Sequence, residues 1–263
     1  MKTTKFFIIA VIVGAMLTGC SDDDKSVKVT SITLNTTETI IPVGKSEQLS
    51  VTGVLPSNAT EKGVIWSSGN TACATVDAVT GMITVPATAS TGTVNITATA
   101  KDGSGVTATC VVTVIEVGMA YQGGKIAYID ATGKHGLIAA HEDQCAAWST
   151  FPYIATGARL TVIGTGKSNT DVIVAAHGAG NYAANLCKSL NISGYTDWYL
   201  PSKDELNELY KNKYKIGGFI NNCYWSSSEF NTQYAWKQNF LNGVQSRDDE
   251  KGTSWDVRAV RSF

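Results

Sequence analysis

Thr107-Ala108-Thr109-Cys110-Val111-Val112-Thr113-Val114 decides the first half of the chain. In an extended strand successive side chains point to opposite faces, so Cys110, Val112 and Val114 fall on one side and the threonines with Val111 on the other. The same two-residue period groups Val94, Ile96 and Ala98, and also Leu49 with Val51. Turn chemistry stands where such strands must reverse: Pro56-Ser57-Asn58, Ser68-Gly69-Asn70, Thr80-Gly81 and Lys101-Asp102-Gly103. Short apolar-alternating runs between turn signals over 27–116 predict an all-β sandwich.

The residues of that stretch carry a resemblance. Val29-Thr30-Ser31-Ile32-Thr33-Leu34, Leu55-Pro56-Ser57-Asn58-Ala59-Thr60, Trp66-Ser67-Ser68-Gly69-Asn70, Ala74-Thr75-Val76-Asp77 and the 107–114 run together look like a group 2 bacterial immunoglobulin-like domain. The resemblance implies a spacer of the kind found in surface proteins and adhesins, with Trp66 between the sheets. Cys110 lies on the inward row, where a buried thiol is the default. A bridge from Cys73 to Cys110 stays open, because sequence does not fix connectivity.

Upstream, Lys2 and Lys5 precede an apolar run from Phe6 to Leu17, followed by Leu17-Thr18-Gly19-Cys20. A charged start, a short apolar run and small residues make a cleaved leader, 1–19, and the run falls short of the ~20 residues that span a bilayer. The tetrapeptide resembles a bacterial lipobox, which implies lipidation of Cys20 as the first mature residue. Ser21-Asp22-Asp23-Asp24-Lys25 then reads as a solvated tether, 20–26, and resembles signals that send lipoproteins to the outer face of the outer membrane. A lipid-anchored, surface-exposed outer-membrane protein is the expected location, with the membrane touched through the anchor only. The formal charge is -1 and no Lys/Arg block stands out, which argues against a nucleic-acid partner. Five cysteines remain after Cys20, an odd number, and no Cys-x-x-Cys pair supports a redox or zinc motif.

Beyond 117–123, read as a glycine-rich hinge, the composition changes. Lys125 to Ile129 and Gly136 to Ala140 read as strands around Asp130-Ala131-Thr132-Gly133, and His141 to Trp148 and Asn181 to Leu190 read as helices. Leu200-Pro201-Ser202-Lys203-Asp204-Glu205-Leu206 contains a capping box, Ser202 with Glu205, opening a helix with Leu206, Leu209 and Tyr210 on one side. Tyr224 to Ser228, Ala235 to Phe240 and Asp256 to Arg261 read as three further strands.

Gly194-Tyr195-Thr196-Asp197-Trp198-Tyr199-Leu200-Pro201-Ser202, Tyr224-Trp225-Ser226-Ser227-Ser228-Glu229 and Val257-Arg258-Ala259-Val260-Arg261 resemble the C-terminal domain of a collagen-like bacterial adhesin. That resemblance implies a C-type-lectin-like α+β domain over 124–263, in a family of unsettled function related to formylglycine-generating oxidases. Many members carry cysteine where Ala259 stands, so a disulfide ending there is absent. Cys187 is then expected as a buried free thiol, and Cys145 with Cys223 as a bridge.

Chemical motifs are sparse. Gly44-Lys45-Ser46 and Gly166-Lys167-Ser168 lack the earlier glycine of a phosphate loop, with Thr39 and Thr161 in its place, and read as loop tripeptides. His135, His141 and His177 belong to no zinc motif and read as solvent-facing or capping residues. No catalytic residue, metal ligand or cofactor is assigned, although the adjacent acids Asp248, Asp249 and Glu250 leave calcium open. The expected function is non-catalytic: an adhesin or binding protein for a glycan or an extracellular protein. A structural subunit of a surface assembly is the alternative, and an oxidase relative comes third. The late loops, mixing amide, charged and aromatic side chains, supply the ligand candidates: Glu229, Asn231, Tyr234, Asn242, Gln245, Arg247, Asp248 and Trp255. Trp198, Trp225 and Trp236 are assigned to core packing, and Trp255 is expected to be exposed.

Overall fold

The computed structural model describes residues 26–263. Cys20, the expected lipidation site, and most of the tether lie outside them.

Nine strands form the first half: β1 (Ser31–Leu34), β2 (Glu38–Pro42), β3 (Ser46–Gln48), β4 (Val51–Leu55), β5 (Val64–Ser68), β6 (Thr75–Val76), β7 (Met82–Thr84), β8 (Gly92–Ala100) and β9 (Thr107–Ile115). They order as β2-β9-β8-β5, β3-β7-β6 and the pair β1-β4. β8 and β9 pair antiparallel with Val94 opposite Val112 and Ile96 opposite Cys110, so the two rows read from the sequence meet on one face. Burial follows the alternation, with Ile96, Cys110, Val112 and Val114 fully buried and Trp66 4% exposed. Apolar rows from all three pairings, including Ile32, Leu34 and Ile83, join in one core.

The second half contains β10 (Ala120–Tyr121), β11 (Gly124–Ile129), β12 (Gly136–Ala139), β13 (Gln144–Ala147), α1 (Gly166–His177), α2 (Ala183–Lys188), α3 (Lys203–Lys211), α4 (Lys213–Ile216), β14 (Cys223–Glu229), β15 (Ala235–Asn239), β16 (Gln245–Ser246), β17 (Ser254–Val257) and β18 (Val260–Ser262). Its sheets order as β10-β11-β12-β18 and β13-β17-β14-β15-β16. The capping box forms as expected: the Glu205 amide donates to Ser202 Oγ at 3.3 Å, and the Ser202 amide donates to Glu205 Oε2 at 2.7 Å. Leu206 and Leu209 are buried by the helix so started.

Five expectations need correction. The stretch from His141 to Trp148 is not helical; Gln144–Ala147 pairs with β17 as a strand, burying Ala146 and exposing Cys145. Gly166-Lys167-Ser168 opens helix α1 rather than lying in a loop. Asp256 to Arg261 is two strands in different sheets, because the buried Arg258 side chain turns inward to pair with Asp143 and donate to the carbonyls of Ala140 and Gly218. No disulfide joins Cys145 to Cys223, nor Cys73 to Cys110; all five thiols are free, Cys145 exposed and the others buried.

The hinge is the fifth. Its glycines serve close packing: a Cβ at Gly118 would lie 2.7 Å from the Lys215 carbonyl oxygen and one at Gly123 2.9 Å from that of Ile192. β10 lies inside this segment and pairs with β11. The two halves also touch at the turn before β12. A Cβ at Gly133, whose φ is +76°, would lie 2.8 Å from Pro42 Cδ. Beside it Lys134 Nζ donates to Thr39 Oγ1 at 2.6 Å, the Ile40 carbonyl at 2.9 Å and Glu47 Oε2 at 2.5 Å. Asp130 orders that turn, its carboxyl held down to about 2, first by the Thr132 hydroxyl.

Candidate functional site

The late loops are built on a buried ion pair. Lys251 Nζ lies 2.6 Å from Glu229 Oε1 with both side chains fully buried. The Thr156 and Gly157 amides donate to the two carboxylate oxygens at 2.9 and 2.8 Å, so the long loop after β13 is tied to the end of β14. Burial opposes ionisation of Glu229; the Lys251 ammonium and these amides overcome it and hold the carboxyl below its ordinary range. Glu229, picked from the sequence as a ligand residue, is thus a support inside the protein.

Above this support the remaining candidates divide. Asn231 closes the hairpin tip, its Oδ1 accepting from the Gln233 and Tyr234 amides at 2.9 Å each, and half-buried Tyr234 bridges to Glu250. Asn242 is exposed, and its side chain accepts from the Val244 amide at 3.0 Å. Gln245 Nε2 donates to the Lys203 carbonyl at 2.8 Å, tying β16 to the start of α3. Asp248 and Asp249 both face Lys237 Nζ, which already supplies the cation that calcium would bring there. Trp255 is half-buried, not exposed, and its Nε1 donates to Asp249 Oδ2 at 3.1 Å.

Arg247 is the candidate that reaches the surface with its donors free. Its guanidinium lies 4.0 Å from the Phe230 ring centroid and 4.8 Å from that of Trp236, and it makes no ion pair or hydrogen bond among the described residues. Lys203 Nζ lies 4.7 Å from the same indole. Phe230 and Trp236 meet edge to face at 6.2 Å. Stacking restricts the arginine's rotamers while leaving its five N–H donors open. Leu160, 51% exposed, is tied to β14 through its backbone: its carbonyl accepts from Ser228 Oγ at 2.7 Å, and Ser228 in turn accepts from the Lys203 amide at 3.0 Å.

Phe230, Trp236, Lys203 and Leu160 escaped the sequence reading. Trp236 was assigned to the core but is half-buried, because alternation along β15 turns it away from buried Ala235 and Lys237. Phe230, 41% exposed beside the hairpin tip, was the available signal.

Acid–base and nucleophilic chemistry finds little to start from. Burial pushes the thiols of Cys110, Cys187 and Cys223 up, so they stay protonated. His135 is exposed beside Asp130 at 3.4 Å. His177 is half-buried against Tyr182, and burial lowers its pKa. Among the described residues no three His, Cys, Asp or Glu side chains gather as a metal site.

Two family models match separate stretches of the chain. Residues 28–112 match the bacterial Ig-like domain (group 2), and residues 140–261 match the Lcl C-terminal domain. An uncharacterised protein of Clostridium acetobutylicum is 39% identical over 94 residues, which is 36% of this chain and 9% of that protein. This chain therefore spans a small part of that relative. Among solved structures, a fimbrial protein of Bacteroides ovatus superposes over 89% of this chain and 71% of its own, with TM-score 0.42 and 14% identity. The Yersinia pseudotuberculosis adhesin InvE does so over 89% and 70%, with TM-score 0.29 and 13% identity. At these scores no residue role or activity is carried over from them.

Proposed function

We propose that the chain is a non-catalytic binding protein of a bacterial surface, anchored through a lipid on Cys20. In this reading 27–116 is an immunoglobulin-like spacer and 124–263 a C-type-lectin-like head. The head holds a glycan or an extracellular protein through the face around Arg247. The observation that carries the reading is the arginine itself: stacked on Phe230 and Trp236, next to the β15–β16 pairing, and without an internal partner among the described residues. A surface side chain so placed contributes little to folding, and arginine with aromatic neighbours is the composition that dominates binding hot spots. Phe230, 41% exposed, supplies apolar contact beside it. Individually weak contacts would be strengthened by many copies on one cell.

The test is an array of glycans and matrix proteins probed with residues 27–263, with and without calcium, beside the Arg247→Ala and Trp236→Ala variants. Retention of a ligand by the parent and its loss by both variants is expected. Retention unchanged in both would remove this face from the proposal. Recovery of a defined assembly partner in place of any ligand would move the reading to a structural subunit.

A further inference from the structure

A second candidate site lies away from the Arg247 face, where the two halves meet. A cleft of about 650 Å3 opens between β2, β9 and β10, with Glu38, Glu47, Thr113, Tyr121, Gln122 and Lys134 on its walls. That volume falls within the ~300–1,000 Å3 typical of ligand pockets. One wall is the two-residue turn of the β10–β11 hairpin, in which Gln122 (φ +44°) and Gly123 (φ +86°) take the left-handed conformations that such turns require. Arg261 Nη1, donating to Gln122 Oε1 at 2.7 Å, holds the side chain there.

The hydrogen-bonding groups define what could enter. Lys134 has three donors, and the three contacts to Thr39, Ile40 and Glu47 use all of them. Glu47 is occupied by Lys134 and by the Thr39 hydroxyl at 2.8 Å. Four groups have no side-chain partner among the described residues: the Glu38 carboxylate, the Thr113 and Tyr121 hydroxyls, and Gln122 Nε2. Together they offer a charged acceptor, two groups that both donate and accept, and a donor, beside a half-buried aromatic ring. An anionic ligand would meet the free Glu38 carboxylate with no free cation, and an apolar one would strip water from four polar groups without replacing it. Adjacent hydroxyls satisfy a carboxylate and a neutral ring satisfies the rest.

We propose that this interdomain cleft binds a neutral sugar ring, with Glu38 accepting from its hydroxyls and Tyr121 lying against its carbon face. The site is independent of the Arg247 face. Amide NMR spectra of the full chain in detergent micelles, titrated with methyl glycosides of glucose, galactose and mannose and with N-acetylglucosamine, test it; glucuronate is the anionic control. At least one neutral sugar is expected to shift the Glu38, Thr113, Tyr121 and Gln122 signals saturably, with millimolar affinity, on the order of -4 kcal/mol. Glu38→Ala should weaken that binding about tenfold, and Glu38→Gln, which keeps an acceptor but loses the charge, by less. Arg247→Ala should leave it unchanged, and thermal midpoints of all three variants should match the parent. Absence of shifts at these residues for every neutral sugar would overturn the proposal, as would glucuronate binding as tightly as they do.

Discussion

The two halves are stabilised by different physics. The sandwich has one aliphatic core around Trp66, and every buried charged residue among the described residues lies in the second half: Glu205, Glu229, Lys237, Lys251, Asp256, Arg258 and Arg261. The first half buries a regular surface and needs only alternation. The second must fix long loops whose own apolar content cannot hold them, and it does so by sinking charges among backbone donors and acceptors. Buried ions are costly unless paired, so the loops are ordered specifically but conditionally.

Five measurements would break or sharpen this contrast. Lys251→Ala leaves Glu229 buried without its partner and should cost the second half about 3–5 kcal/mol in denaturant titration, leaving a sandwich transition in place. Loss of both transitions together would show that the halves unfold as one unit. Ile96→Ala, a fully buried aliphatic deletion, should cost the sandwich about 2–5 kcal/mol with no effect on the loops around Arg247.

Acid comes next. Glu229 has a folded pKa below its unfolded value, so its contribution is present above about pH 4.3 and is lost as pH falls through the folded value. The depressed carboxyls of the sandwich, Asp77 and Asp102, lie at its surface. Far-ultraviolet and tryptophan signals followed from pH 6 toward about pH 3 should therefore change first for the second half. Ser202→Ala removes the acceptor of the capping box and should cost about 1 kcal/mol by thermal melting. Arg247→Ala should change stability by less than about 0.5 kcal/mol, so that any lost binding is a loss of contact.

The same contrast explains what the sequence made legible. Cys110, Val112 and Val114 announced their strand because the buried face is apolar throughout. Helix α1 gave no such signal, since its buried face is Gly166, Asn169, Thr170 and Ile173. Asn169 binds the Leu160 backbone and Ser227, and Thr170 binds the Leu200 backbone, so polar residues fill a core position once partners 9, 58 and 30 residues away are in place. No local pattern encodes such partners. The candidate site divides likewise: Arg247 was legible from loop composition, whereas the inward turn of Glu229 required knowing where Lys251 lies.

The clasp at the junction carries a mechanical meaning. With its whole ammonium group committed to β2 and β3 and Gly133 seated on Pro42, Lys134 makes the second half rotate with the first instead of swivelling upon it. A force applied to the second half is then shared between the covalent path through Glu116 and a lateral brace, and torque must shear three hydrogen bonds before that half can turn.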